Sequence, residues 1–202
     1  MLLPRRRFIT TALAATLTAP AALAQAAPVR VLVLTGQGQF TLELAADKAP
    51  LTCANFLRYV DAKRYDGAAV YRAMRNRWDP STGLLQGGLR GDPAKLLPPV
   101  AHEPTTQTGL SHTDGAISLA RWAPGTGTSD IFFCLGDNRY LDAQPGAAGD
   151  NAGFAVFGRV AEGMEVIRKI HGLPTSPTAG EGVMKGQMLE PAVPIIAMRR
   201  AA

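Results

Sequence analysis

Short strand-like stretches, rich in apolar residues, are the main feature of this chain; one of them, Phe40-Thr-Leu-Glu-Leu, alternates apolar and polar residues. Val29-Arg-Val-Leu-Val-Leu-Thr and Phe40-Thr-Leu-Glu-Leu, joined by the glycine-rich Gly36-Gln-Gly-Gln, are typical of two paired strands. Similar stretches continue towards the end of the chain. The predicted strands span residues 29–35, 40–44, 67–74, 84–87, 116–120, 131–135, 155–160 and 191–198.

Two other stretches repeat their apolar residues with the period of a helix. One helix is predicted to begin in Asp47-Lys-Ala-Pro-Leu-Thr, because proline suits a first turn, and a second spans residues 163–170. Their apolar faces are predicted to consist of Ala54, Phe56, Leu57 and Val60 in the first and of Met164, Val166, Ile167 and Ile170 in the second. Residues 145–151 and 175–187 are predicted surface loops. Many short strands with only two helices predict a mainly β fold, either a closed antiparallel barrel or a sandwich.

Length and composition fit one such domain. The chain has 202 residues, and its 21 glycines and 15 prolines favour many short elements joined by turns. Its formal charge of +5 includes Arg5, Arg6 and Arg7, and the rest of the chain is nearly balanced, with 18 basic and 16 acidic residues. No basic stripe interleaved with aromatic residues occurs, so nucleic-acid binding is not expected.

The first 26 residues have the three parts of an export signal. Arg5-Arg-Arg begins it, the mildly apolar run Phe8–Ala24 follows, and small residues offer cleavage near Ala24 or Ala26. The arginines resemble a twin-arginine signal, which predicts a folded passenger in a bacterial periplasm. The alternative is a membrane anchor. Because the run is short and contains Pro20, no stable anchor is expected.

The two cysteines do not form a disulfide framework. Cys53 and Cys134 each lie in an apolar run, which favours buried free thiols over a pair, although an oxidising compartment leaves pairing open. His102-Glu-Pro-Thr-Thr resembles the start of a zinc-protease helix. Pro104 and the missing second histidine argue against that reading, so no metal is expected.

The stretch Val70–Gly88 sets one cation, Arg72, near the end of a predicted strand and one amide, Gln86, before a pair of glycines. By itself such an arginine is most often a solvated strand residue. Further motifs surround it: Thr41-Leu-Glu-Leu, Asp47-Lys-Ala-Pro, Ala54-Asn-Phe-Leu-Arg-Tyr-Val, Tyr65-Asp-Gly, Gly115-Ala-Ile-Ser-Leu-Ala, Ser129-Asp-Ile-Phe-Phe and Phe154-Ala-Val-Phe-Gly-Arg-Val. Their order and spacing over residues 29–171 resemble cyclophilin-type peptidyl-prolyl cis-trans isomerases.

The resemblance implies both a fold and a site. The fold is a closed eight-stranded antiparallel barrel capped by two α-helices, formed here by residues 27–202. The resemblance implies that Arg72 acts on the prolyl nitrogen and that Gln86 orients it and meets the substrate backbone. The other implied substrate-binding residues are Tyr71, Leu84, Ala120, Arg121, Asp130, Phe132, Tyr140, Leu141 and Phe154. Among them Leu84, Phe132, Leu141 and Phe154 would surround the proline ring, and the backbone of Ala120 and Arg121 would bind the preceding residue as an added strand.

An arginine suits this chemistry for a physical reason. The partial double bond of an amide gives rotation a barrier of about 18–20 kcal/mol. In the twisted transition state the prolyl nitrogen gains a lone pair, so a donor aimed at it stabilises that state over both ground states. Arginine stays charged at any working pH and donates in a fixed geometry, whereas lysine is a looser point charge. No cofactor is required.

Several positions depart from the family pattern. The segment between Arg72 and Gln86 is about six residues longer than in compact cyclophilins, and Gly83 stands where an aromatic residue is usual. Trp78, in the longer segment, is predicted either to supply that wall or to lie on the surface. Tyr71 replaces a histidine, Asp130 replaces a glutamine, and Arg121 stands where an asparagine is common. Phe154 stands where human forms carry a histidine, and Tyr140 stands where they carry the tryptophan that binds cyclosporin. Weak cyclosporin inhibition is therefore expected.

Two functional hypotheses follow. The first is an exported monomeric isomerase that acts on proline-containing segments of unfolded or flexible envelope proteins. The second is a binding module of the same fold, a chaperone or scaffold that holds such peptides without catalysis. Arg72 and Gln86 favour the first hypothesis, and the altered pocket wall keeps the second open.

Overall fold

A single sheet organises the computed structural model, which describes residues 28–201. The predicted export signal, residues 1–26, lies outside this part of the chain. The strands are β1 (Val29–Thr35), β2 (Gly38–Leu44), β3 (Ala69–Arg75), β4 (Gly83–Gly88), β5 (Ala116–Leu119), β6 (Ile131–Leu135), β7 (Ala155–Glu162), β8 (Thr175–Ser176) and β9 (Met188–Arg200). The helices are α1 (Pro50–Asp61), α2 (Thr105–Thr108) and α3 (Met164–His171), with single 3₁₀ turns at Arg139–Leu141 and Gly182–Met184.

The sheet closes on itself. Its order is β1-β2-β7-β5-β6-β4-β3-β9, every neighbouring pair is antiparallel, and β9 pairs again with β1. The predicted closed barrel of eight strands is therefore confirmed for residues 28–201, and the sandwich alternative is excluded. The two-residue β8 is an additional strand paired with β9. It corrects the prediction that residues 175–187 form only a surface loop, since Ser176 is buried.

The core fills the barrel because strand side chains alternate between its two faces. In β1, Val31 and Val33 are fully buried, whereas Leu32 and Leu34 on the other face are more than a third exposed. The same alternation sends Ile117 of β5 inward. Further inward side chains come from Phe40, Leu42, Val70, Ala73, Leu85, Phe133, Phe157, Val193, Ile195 and Met198. Each large apolar side chain buried in this way stabilises the fold by roughly 1.5–3 kcal/mol.

The two predicted helices cover opposite ends of the barrel. Helix α1 follows the end of β2 and packs Phe56 against Phe157, with ring centroids 5.3 Å apart. Helix α3 packs at the start of β2 and buries Ile167 and Ile170 completely. One detail of the prediction is wrong: Ala54 lies on the exposed side of α1, because the buried face is centred on Cys53 and Phe56. None of the helices within residues 28–201 has the length and hydropathy of a membrane span.

Both cysteines are buried free thiols, as predicted. Cys53 lies on α1, where its sulfur is 3.2 Å from the carbonyl oxygen of Phe157, and Cys134 lies on β6. Burial raises the pKa of each thiol to about 12. Both thiols are therefore protonated and weakly reactive at neutral pH.

Candidate active site

A bulge in β3 turns the candidate arginine to the outside of the barrel. Val70 and Ala73 both face the interior although they are three residues apart, because the pairing register shifts between Val70 and Arg72. One extra residue in a strand lets two successive side chains share a face. Tyr71 and Arg72 consequently lie together on the outer surface, where both contact Gln86.

Strand pairing then sets the predicted residues in one row. Arg72 of β3 is directly opposite Gln86 of β4, Gln86 is opposite Phe132 of β6, and Phe132 is opposite Ser118 of β5. Neighbouring strands lie about 4.7–4.9 Å apart, so the row brings Arg72 to about 10 Å from Phe132 across the outer face. The cation and the central aromatic residue therefore belong to the same surface.

Two amides hold the guanidinium of Arg72. Its Nη1 donates to Oε1 of Gln86 and its Nε donates to Oε1 of Gln187, each at 2.8 Å. The amide nitrogen of Gln86 donates in turn to the Tyr71 hydroxyl at 2.9 Å. Burial lowers the pKa of Arg72 below its ordinary value, but an arginine remains charged at neutral pH. The site thus holds a fixed cation between neutral acceptors.

Gln187 was missed by the sequence analysis, which placed it at the end of a surface loop. It lies 115 residues beyond Arg72 in the chain, and neither its type nor its surroundings distinguish it from other loop glutamines. No signal in the sequence indicates this contact, because β9 brings the two residues together only when the barrel closes.

The predicted apolar residues form a second cluster, separate from the barrel core. Leu84 and Phe132 are buried in it, and Leu141 and Phe154 pack against it while partly exposed. The rings of Phe132 and Phe154 meet at a right angle with centroids 5.4 Å apart. The other members of the cluster are Met74, Leu110, Ala116, Ala120, Cys134 and Val156. An apolar surface therefore adjoins the cation.

A buried polar group supports Phe132 from beneath and was not predicted. The His112 ring stacks on Phe132, with centroids 5.7 Å apart. Its Nδ1 lies 2.6 Å from a carboxylate oxygen of Asp142 and its Nε2 lies 3.0 Å from the Ser118 hydroxyl. This arrangement resembles a serine hydrolase triad, yet His112 and Ser118 are completely buried and no substrate can reach them. Its hydrogen bonds hold the His112 ring against Phe132.

The Arg121 side chain is held by contacts within the protein. It is 3% exposed, pairs with Asp150 at 2.6 Å and donates to the carbonyl oxygen of Gly153. Its guanidinium lies over the Phe154 ring, 5.0 Å from the centroid. The backbone N–H of Ala120 donates to the carbonyl oxygen of Asp130 at 2.8 Å. The Arg121 side chain thus holds Phe154, and substrate contacts by the backbone of residues 120–121 stay a prediction.

The remaining predicted residues lie at the edge of this surface. Asp130 accepts a hydrogen bond from the backbone N–H of Arg90 at 3.0 Å, and burial raises the pKa of its carboxyl group. The carboxylate therefore helps to hold the turn that follows β4. Tyr140 is half-exposed on the 3₁₀ turn. Neither residue makes a hydrogen bond to the Arg72 guanidinium.

The longer segment after β3 does not replace the missing aromatic wall. It is closed by a hydrogen bond from the Asn76 N–H to the Thr82 carbonyl oxygen, and Trp78 at its tip is 77% exposed. Trp78 therefore occupies the surface position. Gly83 cannot supply a wall, since a Cβ atom there would lie 2.0 Å from the carbonyl oxygen of Met74.

The two residues that resemble the start of a zinc-protease helix, His102 and Glu103, each bind other parts of the protein. His102 lies 3.0 Å from the carbonyl oxygen of Ala152, and Glu103 binds the start of α1. Within residues 28–201, no three or more His, Cys, Asp or Glu side chains lie close enough together to hold a metal ion.

Comparisons with known proteins agree with this geometry. The family model described as cyclophilin type peptidyl-prolyl cis-trans isomerase/CLD matches residues 30–198. A peptidyl-prolyl cis-trans isomerase of Acinetobacter baylyi is 34% identical over 146 residues, which cover 70% of this chain and 71% of the relative. Peptidyl-prolyl cis-trans isomerase A of Dickeya dadantii is 34% identical over 170 residues, 83% of each chain.

A solved structure shares the fold at low sequence identity. A cyclophilin type peptidyl-prolyl cis-trans isomerase of Cryptosporidium parvum has a TM-score of 0.65 and 16% identity, over 87% of this chain and 99% of that one. The same protein, crystallised in the presence of the dipeptide Ala-Pro, has a TM-score of 0.62 over 86% of this chain and 99% of that one. The family match and the relatives establish that this chain belongs to the cyclophilin-type peptidyl-prolyl cis-trans isomerases and is an enzyme of that class.

Proposed function

We propose that Arg72 accelerates the isomerisation by donating a hydrogen bond to the prolyl nitrogen of the twisted amide. The observation that supports this is the fixed guanidinium beside the outer apolar cluster. Two amides hold its Nε and Nη1, and Nη2 has no hydrogen-bond partner among residues 28–201. A donor that is already in place costs no reorganisation when the lone pair of the prolyl nitrogen develops.

The apolar cluster supplies the other half of the site. A pyrrolidine ring against Phe132, Leu141 and Phe154 is removed from water, and this burial favours binding of proline over polar residues. Removal of water also strengthens the hydrogen bond from Arg72, since electrostatic interactions weaken in a high dielectric. Substrates are therefore proline-containing polypeptides, whose chain lies across the outer face of β3, β4 and β6.

The experiment that tests catalysis measures exchange and binding on one peptide. A short Xaa-Pro peptide is mixed with a small molar fraction of the protein, and NMR magnetisation exchange reports interconversion of its cis and trans forms. We expect exchange cross-peaks between the cis and trans signals within the mixing time, whereas the unaided reaction takes roughly 10–100 s. Saturable binding with no gain in exchange would support the binding-module alternative instead.

The pH profile provides a second prediction. Burial raises the pKa of the Tyr71 and Tyr140 phenols and lowers that of the His112 imidazole. Each of these shifts moves the titration away from neutral pH. Because Arg72 transfers no proton, we expect kcat/KM to stay constant between about pH 7 and 9. A bell-shaped profile in this range would instead indicate acid–base catalysis and contradict the proposal.

We further propose that the enzyme is an exported monomer that acts on unfolded or flexible envelope proteins in the periplasm. The support is the arrangement of residues 1–26 in the sequence. Lysine at positions 5 and 6 is expected to leave the protein in the cytoplasmic fraction with its amino-terminal segment uncleaved, because twin-arginine signals require both arginines. Arg7→Lys is the matched control and is expected to export normally. Periplasmic recovery of the double variant would contradict this route.

A further inference from the structure

The contact between Arg72 and Gln187 gives the cation a specific orientation. Nε and Nη1 lie on opposite flanks of the planar guanidinium, and each donates to an amide oxygen at 2.8 Å. The group is therefore held from both sides. Nη2 makes no hydrogen bond with residues 28–201. Gln86 provides only one of these contacts, so the second flank depends on Gln187.

Gln187 itself is fixed in one orientation. Its amide nitrogen donates to the carbonyl oxygen of Val183 at 2.8 Å, which leaves the amide oxygen to face Arg72. A flipped amide would set its N–H groups against the N–H of Nε and lose both contacts. The backbone of Gln187 is also held, because its carbonyl oxygen accepts from the Ala73 N–H at 2.9 Å. The acceptor therefore comes from a rigid part of the chain next to β3.

The neutrality of both partners matters for the chemistry. A carboxylate at either position would pair with the guanidinium and offset much of its charge. Two carboxamides orient the group through the same kind of geometry and leave its charge for the substrate. Within residues 28–201, no carboxylate lies within hydrogen-bond distance of the Arg72 side chain.

We propose that Gln187 is a positioning residue that aims Arg72 at the prolyl nitrogen, an inference that rests on the role proposed above for Arg72. The segment before β9 thereby takes part in catalysis although it need not touch the substrate. Without Gln187 the Arg72 side chain keeps one amide contact and gains rotational freedom. The substrate still binds to the apolar cluster, so the loss appears in kcat and not in KM.

The test uses the full protein with Gln187→Leu and Gln187→Met, which approximate the volume of glutamine without its oxygen. Loss of one oriented hydrogen bond predicts a fall in kcat of about fivefold to tenfold, with KM within about twofold. Lys185→Ala, an exposed change in the same segment, is the matched control and is expected to leave both constants unchanged. A role limited to folding would lower the melting temperature without this separation of kcat from KM.

A spectroscopic signature is measured alongside the kinetics. In the unmodified protein the Nε–H proton of Arg72, assigned by its loss in Arg72→Lys, is expected to be resolved and to exchange slowly with water. In the Gln187 variants it is expected to exchange rapidly. This measurement on the unmodified protein decides the matter even if both variants fail to fold, since a rapidly exchanging Nε–H there would overturn the proposal.

The kinetic outcomes separate this inference from the proposed function. A normal kcat in both Gln187 variants, together with an impaired Arg72→Ala protein, would overturn the role of Gln187 and leave that of Arg72 intact. Normal activity of Arg72→Ala would overturn both. We expect kcat to be lowered in the Gln187 variants and in Arg72→Ala. We also expect the Nε–H of Arg72 to exchange rapidly in the Gln187 variants and slowly in the unmodified protein.

Discussion

Replacing Arg72 by alanine is expected to lower kcat/KM by about a hundredfold or more while the protein folds normally. One well-placed donor in a comparable electrostatic site contributes about 2.7–4 kcal/mol to the transition state. At about 1.36 kcal/mol for each tenfold in rate, this corresponds to two to three orders of magnitude. The loss is expected mainly in kcat, because the apolar cluster that binds the proline ring is unchanged.

Lysine at position 72 is expected to recover only a small part of this activity. A single ammonium group cannot donate to Gln86 and Gln187 in the planar geometry of a guanidinium and still face the substrate. Arg77→Ala is the matched control, since Arg77 is exposed in the neighbouring loop. It is expected to keep full activity in the NMR exchange assay. The assignment of Arg72 fails if Arg72→Ala catalyses exchange at the unmodified rate.

Replacing Glu103 by alanine is expected to have the largest effect on stability. Glu103 is 1% exposed, and its carboxylate accepts hydrogen bonds from the backbone N–H groups of Leu51 and Thr52 and from the Thr52 hydroxyl, at 3.1, 2.7 and 2.6 Å. The first N–H groups of a helix have no partner within it. Pro50 has no N–H and Ala49 makes no side-chain cap, so Glu103 caps α1 from a distant segment.

Loss of this carboxylate leaves buried donors without partners. We expect the free energy of unfolding to fall by about 3 kcal/mol, which for a domain of this size lowers Tm by about 6–12 °C. Glu103→Gln keeps one acceptor oxygen and is expected to lose less than half as much. Glu181→Ala, an exposed control, is expected to change Tm by about 1–2 °C at most. Thermal unfolding followed by circular dichroism measures all three, and a Tm within 2 °C of the unmodified value for Glu103→Ala would contradict this role, since it corresponds to about 1 kcal/mol or less.

Much of the fold could be predicted because its signals are local. Apolar runs in β1 and β6 located these strands, and Pro50 located the start of α1. Each signal depends on a few neighbouring residues, so no tertiary contact is needed to detect it. The wrong placement of Ala54 on the buried face has a corresponding cause. A small residue on a helix is equally compatible with core and solvent, and only the packing of α1 on the barrel decides which.

The sequence named candidate site residues but not the contacts between them. The resemblance to a known family identified Arg72, Gln86 and Phe132, and strand pairing sets them in one row. It gave no account of Gln187, because a glutamine in a loop carries no pattern. It also suggested substrate contacts for the backbone of Arg121, which stay a prediction; its side chain pairs with Asp150 and covers Phe154.

The sequence by itself determined which segments are short apolar runs, and hence which segments are strands, and which type of side chain stands at each position of the site. The tertiary structure alone decided which of these side chains meet. The bulge at Tyr71 turns Arg72 outward, and closure of the barrel by β9 brings Gln187 to it from 115 residues away. A local pattern of apolar residues reflects burial, and it can be recognised from neighbouring residues in the chain. The direction of a guanidinium depends on hydrogen bonds between distant segments, and these exist only after the sheet has closed.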